Sequence, residues 1–515
     1  MKLYYALAKP GLWTQFFLTA TCICCFMLYG FEQGALANIQ GHEAFQSQFG
    51  YPSGSYLGII VSIYNLGSFF GCLGNIAIGD ILGRKRAIWL GLTLVIIGVI
   101  LQTSSYGVVQ FFIGRFISGL GTGIETSTAP MYQSEVCTAK YRGRLVAAEP
   151  MFVSVGIVMV YWVGYGLSFA EGGVVWRVPV GIQLIFAILG WLMLFLCPES
   201  PRWLVKVGKI EDAKYALSKI RNLDVNDYKI TCTVNEIVHI QEVEAHGKNI
   251  NWMSILKGKD AMAGRYRLAL AWGIQFFNQM GGCNLVIYYM PLVLVTNVGI
   301  DTELATILSG CIMICMFVSS LVPTFFLDRM GRRPTMFVGS IALAVCMLII
   351  TVLLKQDQKN CSSAAVAFFF VYMCFFGSTM NSTPWVYGPE VLPLQLRAKG
   401  VAISTSSNWM WNFVIAMITP VMTDNLGWKT YIVFTVINAF GALCVYMFYP
   451  ETGRKTLEEI EEIFLGSGKT FYGGLWDRNQ KNGTEVEFVE YSEKNQLNKE
   501  VSCSSEVSRQ VADEV

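Results

Sequence analysis

Two charged signatures each occur twice in this chain at nearly the same separation, and a repeat of that length demands a fold made of two copies of one unit. Asp80-x-x-Gly83-Arg84-Lys85 returns as Asp328-x-x-Gly331-Arg332-Arg333, an offset of 328 − 80 = 248 residues. Glu135-x6-Arg142 returns as Glu390-x6-Arg397, an offset of 390 − 135 = 255. Duplication of a mostly apolar chain implies a two-lobed membrane transporter.

The sequence around the signatures sets the solvent. Of 515 residues, 53% are hydrophobic and only 14% charged, against about 25% charged in soluble domains. Apolar runs of roughly 20 residues predict spans at 14–36, 56–78, 87–105, 107–130, 145–168 and 177–197, then at 267–292, 303–327, 335–354, 363–389, 398–420 and 428–449. The expected fold is an all-α membrane protein of twelve transmembrane helices in two six-helix halves, 1–198 and 267–450. A cytoplasmic connector, 199–266, joins them, and a cytoplasmic tail, 451–515, follows.

Lys and Arg concentrate in the loops after spans 2, 4, 8 and 10, so the positive-inside rule places both termini in the cytoplasm. The first ten residues lack signal-peptide features, which makes the first span a retained one. Most of the fifteen cysteines, Cys22, Cys24, Cys25, Cys311 and Cys315 among them, sit in apolar runs as small hydrophobes. His42, His239 and His246 lie outside the spans, and no spacing suits a metal site or a cofactor. A phosphate loop and a nucleophile elbow are also missing, so the reading is not an enzyme. Asn360-Cys361-Ser362 is a glycosylation sequon on an expected outer loop.

Each repeated signature ends a span with a glycine turn and forked guanidinium donors near a carboxylate. An Arg–carboxylate fork between helices can latch the inner face of each half and release as the halves rock. The expected gating set is Asp80, Arg84, Glu135, Arg142, Glu199 and Arg202 in one half, and Asp328, Arg332, Arg333, Glu390, Arg397 and Glu451 in the other.

With Pro198-Glu199-Ser200-Pro201-Arg202-Trp203 after span 6 and Pro450-Glu451-Thr452-Gly453-Arg454 after span 12, the chain resembles the sugar porters of the major facilitator superfamily from about residue 15 to 465. Thr126-Ser-Thr-x-Pro-x-x-Gln-Ser-Glu135, Gly282-Cys283-Asn284 and Asn408-Trp-x-x-Asn412-Phe413 are most similar to fungal members, the yeast glycerol/proton symporter included.

A polyhydroxy solute has to exchange its water for neutral donors and acceptors at the midplane. Gln275, Asn278, Gln279 and Asn284 supply amides on span 7, where Gly281-Gly282 permits unwinding beneath Tyr288-Tyr289. Trp385, Asn408, Trp409 and Asn412 add aromatic faces and further amides. The resemblance implies sugar contact at Gln279 and Asn284 and a cavity position for Trp385 and Asn408. Asn278 replaces a glutamine usual in the family, and Met316 stands near a usual pocket asparagine. Asn381 and Tyr387 are assigned no role.

Glu32 and Arg115 each carry an insertion cost of about 2.5–3.5 kcal/mol near a helix centre, which pairing between them would offset. Protonating Glu32 would dissolve the pair, and the resemblance implies proton coupling at these two positions. Glu125, deep in span 4, and Glu149 in span 5 are further polar-cavity candidates, and Glu149 is followed by Pro150 where many sugar porters have a sugar-binding glutamine. The acidic run Glu458–Phe464 reads as the start of an amphipathic helix, with disordered sequence after it.

The reading is a plasma-membrane symporter, working as a single chain without nucleic-acid partners, that takes up a small sugar or polyol (hexose, pentose or glycerol) with a proton. A proton-independent facilitator is the nearest alternative. A non-transporting sensor on the same fold is the more distant one, since sensors carry longer tails.

Overall fold

The computed structural model describes residues 11–455 except 138, 247–262 and 357, together with 459–460 and 463–464. Among the described residues the secondary structure is helical, without strands. The first half comprises α1 (Leu12–Gly34), a short α2 (Glu43–Phe49), α3 (Gly54–Leu82), α4 (Arg84–Thr103), α5 (Val108–Val136), α6 (Ala139–Leu167) and α7 (Val174–Met193). Three connector helices follow: α8 (Pro201–Lys206), α9 (Ile210–Arg221) and α10 (Tyr228–His246). The second half comprises α11 (Gly264–Met280), α12 (Cys283–Val293), α13 (Thr302–Met330), α14 (Arg332–Lys355), α15 (Lys359–Ser378), α16 (Thr383–Val391), α17 (Leu394–Leu426) and α18 (Thr430–Phe448).

Among the described residues ten stretches are long and apolar enough to cross a bilayer, and one of these, Lys399–Phe448, holds both α17 and α18. The remaining span, α5, carries Arg115, Glu125 and Glu135 and is more polar than the rest. With α11–α12 and α15–α16 counted as broken spans, the twelve expected helices in two sets of six are all present.

The second break, between α15 and α16, corrects the continuous span expected over 363–389. Its chain leaves the helix at Thr379 (φ −130°, ψ −72°) and re-enters at Thr383 with Pro384 in the first turn. Gly282 makes the first break at φ 104°, a conformation that glycine adopts without steric cost. The Gly281 carbonyl freed there accepts hydrogen bonds from Tyr372 Oη at 3.0 Å and Asn438 Nδ2 at 2.8 Å. Such replacement is obligatory where no water can reach.

Polar spans stay inside by packing closely. A Cβ on Gly119 of α5 would lie 2.2 Å from the Tyr64 carbonyl of α3, and one on Gly67 of α3 would lie 2.3 Å from the Phe116 carbonyl of α5. The two helices therefore touch backbone to backbone, the small-residue mode of membrane packing. The halves meet chiefly along α3 with α17 and α6 with α13. The connector helices enclose a small core of their own around Trp203, Leu217 and Val234, tied to the bundle by Trp203 Nε1 on the Asp80 carbonyl (2.8 Å).

At the chain end, residues 459–460 and 463–464 are helical, Ile460 is buried, and the Phe464 ring lies 4.3 Å from the Arg267 guanidinium. The sequence expected to be disordered beyond them falls outside the described residues.

The α3–α5 contact predicts that Gly119→Ala lowers unfolding stability in detergent by about 1–3 kcal/mol, the usual overpacking penalty. Gly166→Ala, where nothing lies within 4 Å of the added methyl, leaves it unchanged in the same thermal melt.

Candidate central cavity and ion-paired loops

The break between α11 and α12 turns a row of amides towards the space between the halves. Asn278, Gln279 and Asn284 line a cavity there together with Trp385, Tyr29, Gln33, Asn381 and Met316. The amides are already ordered: Asn284 Nδ2 donates to Gln279 Oε1 (2.6 Å), Gln279 Nε2 to Asn278 Oδ1 (2.8 Å), and Asn278 Nδ2 to the Met380 carbonyl (2.5 Å). Asn284 Oδ1, at the head of this chain, is buried with no donor. An O–H from a bound solute would satisfy it.

Gln275, Asn408, Trp409 and Asn412 lie outside that lining, in helix-to-helix contacts. Asn408 Nδ2 donates to Gln275 Oε1 at 2.8 Å. Trp409 is fully buried against Tyr29 (ring centroids 4.6 Å) with Nε1 directed at Thr126 Oγ1 (3.3 Å). Asn412 Oδ1 accepts from Asn65 Nδ2 (3.0 Å), and Asn65 in turn accepts from Tyr288 Oη (3.3 Å). Tyr161 Oη donates to the Ile287 carbonyl (2.7 Å), Gln40 Nε2 to the Tyr288 carbonyl (2.9 Å) and Tyr289 Oη to the Ala416 carbonyl (2.6 Å). Five of these bonds, made by Trp409, Asn65, Tyr288, Tyr161 and Gln40, join the halves, and those from Tyr161 and Gln40 reach the backbone of α12. Asn381 Nδ2 also reaches Ser154 Oγ (3.3 Å) across the halves.

Glu32 and Arg115 meet beside this cavity in a seam between α1, α4 and α5. Glu32 Oε2 lies 3.2 Å from Arg115 Nη1, with both side chains 1% exposed or less. Glu32 Oε1 accepts from Gln102 Nε2 and Ser118 Oγ, each at 3.1 Å, and Arg115 Nη2 donates to the Val61 carbonyl at 3.1 Å. Glu125 is fully buried further along α5, and neither carboxyl oxygen has a hydrogen-bond partner. Glu149 is also buried, with Oε1 unpartnered.

At the loop face, each half carries the same ionic assembly. Arg84 forks onto Glu135 through Nε (3.1 Å) and Nη2 (3.0 Å), and Arg332 onto Glu390 through Nε (3.2 Å) and Nη2 (2.9 Å). Asp80 and Asp328 flank their arginines at 3.6 and 2.9 Å. Glu199 Oε1 accepts the backbone N–H of Arg84 and of Lys85, both at 3.0 Å, capping α4; Glu451 caps α14 through the N–H of Arg332 and Arg333, both at 2.9 Å. Carboxylates are favourable at helix N-termini, where N–H groups and the helix dipole converge. Burial pushes the Glu199 carboxyl above its usual range, while these N–H bonds and the Arg84 charge pull it down. Gly83 (φ 87°) and Gly331 (φ 81°) permit the turns, and a Cβ on either would press on the capping carboxylate at 2.8 or 2.9 Å.

Each fork is therefore internal to one half. Arg333 sends its guanidinium to the Tyr446 carbonyl (2.7 Å), and Arg397 donates to the Leu392 carbonyl (3.3 Å). Arg202 is exposed, and the Arg142 side chain falls outside the described residues.

A family profile described as Sugar (and other) transporter matches residues 17–464. The chain belongs to this family. It is 37% identical to the MFS-type transporter oryC of Aspergillus oryzae, covering 90% of this chain and 87% of that one. It is 33% identical to the sugar transporter STL1 of Saccharomyces cerevisiae, over 87% and 81%. Among solved structures, the proton:xylose symporter XylE bound to 6-bromo-6-deoxy-D-glucose superposes with a TM-score of 0.74 at 24% identity, covering 88% of this chain and 99% of that one. This is a multi-pass sugar porter of the major facilitator type.

Sequence reasoning missed part of the porter's assembly. Tyr132 Oη bonds the Pro198 carbonyl, and Tyr387 Oη bonds the Pro450 carbonyl at 3.1 Å, so each half has a tyrosine holding the loop that bears its capping glutamate. The signal was available, since each tyrosine stands three residues before the forked glutamate and 387 − 132 = 255 repeats the offset of the pair. Tyr29 and Gln33 of the cavity were masked by the apolar run containing them.

Removing one partner of this partly buried ion pair takes away charge-assisted hydrogen bonds, so Arg332→Ala and Glu390→Ala should each destabilise the porter by about 2 kcal/mol. The double variant should recover about 0.5–3 kcal/mol of the summed loss, read from unfolding midpoints in detergent.

Proposed function

We propose that this porter is a plasma-membrane symporter that moves a small neutral sugar or polyol together with a proton. The observation that carries this reading is the buried Glu32–Arg115 pair and its position. Glu32 faces the α4–α5 seam, while its sequence neighbour Gln33 and Tyr29, one turn away, face the cavity. Proton and solute thus act on two faces of one helix.

With Glu32 ionised, the pair ties α1 to α5 and, through Arg115, to the Val61 carbonyl of α3. Protonation removes the Coulombic attraction and two charge-assisted hydrogen bonds. Solute entering the cavity would supply hydroxyl groups to Asn284 and Gln279 and an apolar face to Trp385. The lobes then rock about the α3–α17 and α6–α13 seams, while the ionic assemblies keep each half rigid. A neutral polar lining suits an uncharged cargo, because a fixed charge there would demand a counter-ion. Relatives point the same way: one at 28% identity is named the high-affinity glucose transporter of Kluyveromyces lactis, and the structural neighbour is named a proton:xylose symporter.

The test is uptake of labelled glucose, xylose and glycerol into proteoliposomes with internal pH recorded. Wild-type protein should accumulate at least one of the three against its gradient, with solute-driven movement of protons. Glu32→Gln should abolish accumulation yet retain exchange of labelled for unlabelled solute. Accumulation that survives this change overturns the coupling, and downhill uptake without proton movement identifies a facilitator. Asn284→Leu should raise KM roughly tenfold, the loss of about 1.4 kcal/mol expected for one hydrogen bond.

A further inference from the structure

Glu32 is not the only acid in its seam. The two residues that donate to its carboxylate, Ser118 on α5 and Gln102 on α4, lie outward of a second carboxyl enclosed by the same three helices. Seven residues on from Ser118, Glu125 stands two turns along α5, about 10 Å at 1.5 Å per residue. Cys25, seven residues back from Glu32 on α1, is its titratable neighbour there, with Cys24 beside it. From α4 it is faced by Gly91, whose added Cβ would lie 2.8 Å from Glu125 Cγ; Gly91 and Gly121 in turn touch through the Gly91 carbonyl, 2.4 Å from a Cβ on Gly121. The seat is therefore built by glycines that leave room for a glutamate. Thr122 stands between Ser118 and Glu125 in the sequence of α5, and its hydroxyl bonds the Ser118 carbonyl at 3.2 Å.

The two acids differ in one respect. Glu32 has a guanidinium and two donors, whereas among the described residues Glu125 faces no cation and no amide or hydroxyl donor, and its polar neighbour is the Cys25 thiol. An isolated carboxylate in such a place would forfeit its hydration with nothing in return, so the group holds a proton.

We propose that Glu125 is a second proton-carrying carboxyl, inward of Glu32, through which the transported proton passes on its way to the ion-paired face. The inference rests on the coupling proposed above. One proton enters at Glu32 and opens its pair. Glu125 gives up the proton it holds to water at the loop face, and its carboxylate then accepts the proton from Glu32, which closes again on Arg115. One proton enters and one leaves, and each acid returns to its starting form. The arrangement described here, with Glu32 paired and Glu125 unpaired, is the state after that transfer.

Two measurements on the full chain test this. In proteoliposomes, using whichever of glucose, xylose and glycerol wild-type protein accumulates, Glu125→Gln should lower accumulation and solute-driven proton movement at least about tenfold, the scale of a lost proton-transfer group. Exchange, which needs no net proton transfer, should stay within about twofold, and Glu125→Asp should restore part of the proton movement. In infrared spectra of purified protein at neutral pH, wild type should show the C=O stretch of a protonated carboxylic acid, and Glu125→Gln should lose part of that band. Normal proton movement in Glu125→Gln overturns the proposal, as does absence of the band from wild type, a result that stands even when the variant fails to fold. Loss of coupling in Glu32→Gln but not in Glu125→Gln removes this inference and leaves the coupling reading in place. Wild-type uptake without proton movement removes both.

Discussion

A bilayer interior supplies no hydrogen bonds, so each polar group in the spans must find its partner within the protein. Much of the architecture answers that condition, with Glu125 and Asn284 Oδ1 as exceptions. Where α11 ends at Gly281, its carbonyl is taken by Tyr372 and Asn438. Where α5 carries an arginine and two glutamates, it is pressed against α3 through glycines and enclosed by α1 and α4. Two pairs of amides that do not line the cavity are matched with each other, Gln275 with Asn408 and Asn65 with Asn412.

The same condition separates the two kinds of site. At the loop face the charges are numerous and well paired, and their geometry is repeated almost atom for atom between Arg84–Glu135–Glu199 and Arg332–Glu390–Glu451. These assemblies join helices within one half. In the middle of the bundle the halves differ. One contributes the Glu32–Arg115 pair, the other the amides around a broken helix. A rocking movement needs the first property, and recognition of an asymmetric solute needs the second.

Much of the fold was legible in sequence because apolar length and duplication are local or periodic signals. The runs around 303–327 and 335–354 became α13 and α14 with ends within a few residues, since hydrocarbon thickness sets the length of a span. The break between α15 and α16 was hidden because its polar residues, Asn381 to Thr383, are few and sit between apolar turns. Of eight residues selected for the cavity, Asn278, Gln279, Asn284 and Trp385 line it, and the other four have the same chemistry one turn back on α11 or on α17. Residue type says that an amide in a span needs a partner. It does not say whether that partner is another amide or a solute.

The amino-acid sequence alone determined the solvent, the number of spans, the duplicated ionic loops and the family, since each depends on which residues occur and how far apart they stand. Tertiary structure decided which buried polar groups are neighbours. Glu32 and Arg115 are 83 residues apart in the chain and 3.2 Å apart in space. Glu125, ten residues from Arg115 on the same helix, has no such partner. Whether a buried acid is paired or isolated depends on how three helices turn against one another, and that rotation is set by packing of the whole bundle, which no local stretch of sequence contains.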